Sequence, residues 1–165
     1  MVHTFSVWMH STSIGWAVRG GVPWLWPACE TLHFIGMALL IGIVGLIDIR
    51  MLGVAKGLSL EALQRLLPWG IVGFAINLLT GLAFFAGDPF QYTNNWVFWV
   101  KLAFIVIAGV NAGLFYVTGL SRRVDALGAD ADVPAGAKAI AAVSLFLWFG
   151  VMYLGRMLPF LGGAF

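Results

Sequence analysis

The chain has 165 residues, of which 61% are hydrophobic and only 10% charged, with a formal net charge of +2. A soluble domain carries about 25% charged residues, so this chain has too few to coat a surface that faces only water. The weak positive charge, with no basic tract, gives no footing for nucleic acid, and the lone Cys29 excludes an internal disulfide framework.

The N-terminal segment, residues 3–18, is too short and too polar to cross a bilayer. His3, Ser6, His10 and Ser13 fall on one helical face, and Phe5, Trp8, Met9 and Trp16 fall largely on the others. That pattern predicts a short amphipathic helix lying in the membrane interface. It lacks the basic start, the continuous apolar run and the small-residue cleavage site of a signal peptide.

A crossing helix needs about 20 apolar residues, because about 30 Å of hydrocarbon is spanned at 1.5 Å per residue. Four stretches meet this length: residues 26–47, 67–87, 96–120 and 139–160. Pro27 and Pro68 sit in the first turns of the first two, where a missing N–H costs least. The second stops at the Asp88-Pro89 turn signal. The linker over 121–138 carries Arg122, Arg123, Asp125, Asp130, Asp132 and Pro134 and reads as a solvated loop. The predicted fold is all-α, a single membrane domain over 1–165. It is an integral membrane four-helix bundle with a short N-terminal interfacial helix.

Basic residues set the expected orientation. Arg50, Lys56 and Arg65 follow the first span, and Arg122, Arg123 and Lys138 follow the third; the 88–95 connection holds none. Both basic loops are therefore expected in the cytoplasm, with both termini outside a bacterial inner membrane. Trp24, Trp26, Trp96 and Trp99 would form an outer aromatic belt, with Trp69 on the inner side.

This topology brings Glu30, His33, Asp88, Lys101 and Arg156 to the outer half of the bundle. Charges within a bilayer are expensive, so these groups should face each other or water, and Glu30 could pair with Lys101 or Arg156. The two cations could instead snorkel to the headgroups. Cys29, His33 and Met37 form a row at four-residue spacing, with Glu30 beside it. Thiolate and thioether ligands favour copper(I), although Cys and Met are also ordinary core residues. In the second span Gly70, Gly73, Asn77, Thr80 and Gly81 lie on one stripe, as expected where two membrane helices approach closely. Asn111 in the third span reads the same way. Asp48-Ile49-Arg50 reads as a solvated helix end or as a charge pair tying the first span to a loop.

The ordered set Glu30-x-x-His33, Asp48-Ile49-Arg50-x-x-Gly53, Pro68-Trp69, Asn95-x-x-Phe98-x-x-Lys101, Asn111 and Gly155-Arg156 resembles a family of small bacterial membrane proteins of unknown function. The resemblance covers nearly the whole chain and implies no activity. More remotely, a histidine early in one span and a lysine at the start of a later one is similar to two further groups. These are the CopD-type copper-resistance proteins and the small membrane protoporphyrinogen oxidase, which binds b-type haem. That resemblance implies His33 as a haem ligand and Lys101 as the partner of a propionate or substrate carboxylate. The N-terminal segment with His3 and His10 departs from both groups.

Three functions follow as expectations. The first is a haem b electron-transfer or oxidoreductase subunit, since facing helices of a bundle supply cofactor ligands. There His33 and His10 would be the axial ligands, Lys101 and Arg156 would meet the propionates, and Glu30 would orient His33. Its partners would be a membrane quinone, a periplasmic cytochrome or other membrane subunits, or a second copy of the chain. The second is copper handling through His3, His10, Cys29, His33 and Met37, with Met157 as a further candidate. The third is a membrane anchor or assembly subunit without chemistry. No nucleotide motif or nucleophile–base pair points to a hydrolase or kinase.

Overall fold

The computed structural model describes residues 2–54, 56–127 and 131–161, except the side chains of residues 2 and 3. Every regular element among them is helical. Four helices are long and apolar enough to cross a membrane: α3 (Leu25–Met51), α5 (Leu67–Gly87), α7 (Trp96–Val117) and α9 (Ala135–Met157). The short helices α1 (Val2–His10) and α2 (Ser13–Trp16), and a π-helical turn over Ala17–Gly21, precede them. Between the long helices lie α4 (Leu60–Gln64), α6 (Pro89–Thr93) and α8 (Leu120–Asp125). The protein is an all-α membrane bundle. The even number of long helices leaves the start of α3 and the end of α9 at one end of it, here the terminal end; α4 and α8 lie at the other, the loop end.

Polar side chains open the two helices that follow α5. Asp88 accepts a hydrogen bond from the Gln91 N–H and opens α6, and Asn95 accepts from the Val97 N–H and opens α7. These caps satisfy donors that a helix start leaves unmet. Asn95 is 1% exposed, and its Nδ2 also donates to the Leu158 carbonyl at 2.9 Å, tying the start of α7 to the end of α9.

The long helices pack as two antiparallel pairs, α3 with α5 and α7 with α9, joined where α3 meets α9. The stripe on α5 is the α3 interface. A Cβ on Gly73 would stand 2.7 Å from the Gly36 carbonyl oxygen, so the two backbones touch there. Asn77 folds back onto its own helix, its Nδ2 donating to the Gly73 carbonyl at 3.0 Å. Asn111 bridges the other pair by donating to the Ile140 carbonyl at 3.0 Å.

Several boundaries depart from expectation. The N-terminal segment is broken at Ser11 and Thr12, because Thr12 stops α1 and caps α2 by accepting from the Gly15 N–H. Of its polar face only Ser6 turns inward: it is fully buried and lies 3.4 Å from the Thr93 hydroxyl, while His10 and Ser13 stay exposed, as do Phe5, Trp8 and Trp16. The first span runs four residues past Ile47 and takes in Asp48 and Arg50. Neither is solvated, at 3% and 1% exposed. Arg50 does tie the span to a loop, but through the Leu58 carbonyl, to which its Nε donates at 2.7 Å, and not through a charge pair with Asp48. The third span stops at Val117, before Gly119 turns left-handed at φ 72°. The linker after it is only partly solvated. Val124 and Val133 pack with Met51, Leu60, Ala137 and Ala141 into a small core that closes the loop end. Asp132 remains at the surface, between Lys56 (3.1 Å) and Lys138 (3.5 Å). Those ammonium groups hold its carboxyl below the usual carboxylate range.

Candidate functional site

His33 is the best-positioned of the sequence candidates. It lies half-buried on α3, facing α5. Its Nδ1 is 2.7 Å from the Thr80 hydroxyl, and its ring meets Phe84 edge-on at 5.5 Å. The Thr80 hydroxyl is also 2.7 Å from the Ile76 carbonyl one turn back. A carbonyl only accepts, so the single hydroxyl proton lies toward Ile76. The Thr80 oxygen must then accept from His33, which fixes the proton of the neutral ring on Nδ1 and leaves the lone pair on Nε2. A histidine held this way is oriented as metal-binding histidines are, with one nitrogen donating to a fixed partner.

Lys101 starts one turn into α7 and turns toward α9. A Cβ on Gly155 would stand 3.2 Å from its Nζ, so the missing side chain there makes room for the ammonium. Lys101 is half-buried, and near enough to His33 for their charges to interact.

The other candidates are not gathered around this pair. Glu30 is exposed, and its Oε1 accepts from Trp26 Nε1 at 3.1 Å. Arg156 is exposed, with its guanidinium over the Phe160 ring at 5.4 Å. Among the described residues no ion pair joins Glu30 to Lys101 or Arg156. Equal depth in the bundle does not give equal direction around each helix, and the three side chains point to different neighbours. His10 is exposed against Phe90, with ring centroids 5.8 Å apart, and its carbonyl accepts from Arg19. Cys29 is buried and Met37 half-buried on α3. The His3 side chain lies outside the described residues. Among those residues no three His, Cys, Asp or Glu side chains gather closely enough to hold a metal ion.

The mouth of the terminal end is aromatic and acidic. Phe5 and Phe98 both stack on Phe85, at 6.3 and 5.8 Å, and Tyr92 packs on Phe85 and Phe98. Burial, with Asp88 and Glu30 nearby, pushes the Tyr92 hydroxyl up to about 12 from 10.0. The folded chain thus holds this proton more tightly than the unfolded chain. The stability this contributes is full below pH 10 and is lost as pH rises through 12. In an ultraviolet titration one tyrosine is expected to remain protonated at about pH 11, and that late step should vanish in Tyr92→Phe.

Sequence reasoning missed two features. Thr80 was legible as a member of a packing stripe but not as the partner of His33, since only the register of α3 against α5 brings them together. The second is a cavity of about 420 Å³ in the loop half, bounded by all four long helices and holding Asp48, Asn111 and Ser144 at its wall. The fold and these two polar centres define a four-helix membrane protein with a half-buried histidine toward one end and a buried carboxyl toward the other. Compared with family models, curated proteins and solved structures, the chain has no match.

Proposed function

We propose that this protein is a membrane-embedded electron-transfer or oxidoreductase subunit that binds haem b through His33. The observation that carries the reading is the anchoring of that ring: Nδ1 stands 2.7 Å from the Thr80 hydroxyl, which leaves Nε2 for a ligand. Lys101, half-buried and near His33, is the cation that would meet a propionate. His33 would hold the haem iron through Nε2, with Lys101 offsetting a propionate's charge. His10, packed on Phe90, and Arg156, over Phe160, are not placed to act as second ligand and second propionate partner without moving. When bound, haem supplies one-electron chemistry. The chain would orient the ligand nitrogen through Thr80, pack Phe84 against the ring and supply a compensating charge from Lys101. A membrane quinone and a cytochrome outside the membrane are the partners this reading implies. Copper(I) at the same nitrogen is the alternative reading of the Cys29, His33 and Met37 row.

The test is the absorption spectrum of the protein purified in mild detergent from its native membrane. A Soret band with the b-type pyridine haemochrome is expected, and Lys101→Ala should weaken haem retention without abolishing it. Purified protein with neither haem nor copper would leave the anchor reading in place.

The proposed orientation has both termini outside the bacterial inner membrane. Lys56, Arg65, Arg122, Arg123 and Lys138 all lie in or beside the loop-end connections, which supports that end as cytoplasmic. A periplasm-dependent phosphatase fused after Phe165 is expected to be active. Activity of a cytoplasm-dependent reporter at that position would reverse the assignment.

A further inference from the structure

We infer that the loop-half cavity is a second binding site, which takes an amphipathic organic cation: an ammonium or phosphonium group on an apolar body. Asp48 carries the argument. It is 3% exposed and stands in the cavity wall, and its Oδ2 has no hydrogen-bond partner among the described residues. Its polar neighbour across the α3–α9 joint is Ser144, a hydrogen-bonding partner too small to satisfy both oxygens. A buried carboxyl with an unmet oxygen is costly unless something completes it.

The rest of the wall says what that something is. A second carboxyl, Asp125, stands exposed at its rim, accepting from Gln64, and among the described residues no lysine, arginine or histidine lines it. It therefore offers an anion no charged partner. Phe74, Trp148, Phe115 and Tyr116 supply aromatic walls, and aromatic faces attract cations most when water is excluded. A volume of about 420 Å³ is far more than one water needs and lies within the range of small-molecule pockets. The cavity lies at the opposite end of the bundle from His33, so it stands or falls independently of the haem reading.

The experiment measures binding of tetraphenylphosphonium to the full-length protein in phosphatidylcholine nanodiscs, with empty nanodiscs subtracted. Tetraphenylborate, of the same shape and opposite charge, is the control. Saturable binding of the phosphonium and none of the borate is expected. Asp48→Asn keeps the shape and removes the charge, and should weaken binding about tenfold or more. Gly109→Leu leaves Asp48 in place. A Cβ on Gly109 meets nothing within 4 Å, and the residue lines the cavity, so leucine should fill the space and block binding in a normally folded chain. The proposal is overturned by no saturable binding, by equal binding of the borate, or by binding unchanged in Gly109→Leu. Asp48→Asn binding like wild type also overturns it and makes the cavity a space for lipid chains.

Discussion

Gly73→Val is expected to pull α3 and α5 apart and to cost the bundle a large part of its stability. A Cβ on Gly73 would stand 2.7 Å from the Gly36 carbonyl oxygen and 2.9 Å from both the Leu40 nitrogen and the Leu39 Cβ. Two of those atoms are backbone, so no side-chain rotation relieves the clash and the helices must separate. Gly36 sits in the same vice, 2.8 Å from the Gly73 oxygen by the same construction. In lipid this contact matters more than its area suggests. Membrane helices gain little from hiding apolar surface, so close backbone packing is a main source of their association. Overpacking a close-packed contact costs about 1–3 kcal/mol, and more where backbone has to move. The measurement is the unfolding midpoint in mixed micelles of increasing denaturing detergent. Gly113→Val is the control, because a Cβ there meets nothing within 4 Å while the change in intrinsic helix propensity is the same. Equal midpoints for the two variants would show that the Gly36–Gly73 crossing is not where the pair is held.

The four crossings were legible because hydrocarbon thickness imposes a length that local sequence either meets or fails. Pro68 and Asp88-Pro89 likewise act on their own neighbours, and the second span falls on residues 67–87 as expected. Features set by partners distant in sequence were not legible. Asp48 and Arg50 look like a helix end until Ser144 and the Leu58 carbonyl are seen beside them. The linker after α7 looks solvated until Val124 and Val133 are found under the loop end. The charge cluster expected of Glu30, Lys101 and Arg156 rested on depth alone. Depth is readable from position along a span, but the direction of a side chain depends on which neighbour has room: Gly155 accepts Lys101, while Trp26 holds Glu30. For the same reason His33 could be singled out by its rarity in a membrane helix, but its proton could be placed only once Thr80 was found opposite it.

His33→Ala is expected to abolish bound haem while leaving the protein inserted and folded. The structure separates those two outcomes. Without the imidazole, the Thr80 hydroxyl still donates to the Ile76 carbonyl, so no buried donor is stranded on α5. The loss is one edge contact with Phe84 and one accepted hydrogen bond, whose net worth is about 1 kcal/mol. Thr80→Val is the sharper variant. It keeps the shape of the side chain and leaves His33 present, but removes the oxygen that accepts from Nδ1–H. The ring then loses its fixed tautomer and orientation, and removing such a supporting partner typically costs about 10–100-fold in metal affinity. Thr80→Ser restores the oxygen without the methyl group and should recover most of the binding. A histidine that only fills space between α3 and α5 would give a different order. Thr80→Val would then be harmless to the absorption spectrum, Thr80→Ser would be no better, and His33→Ala would change the unfolding midpoint and nothing else. Haem content measured across the three variants, against the same unfolding midpoints, decides between a ligand and a packing residue.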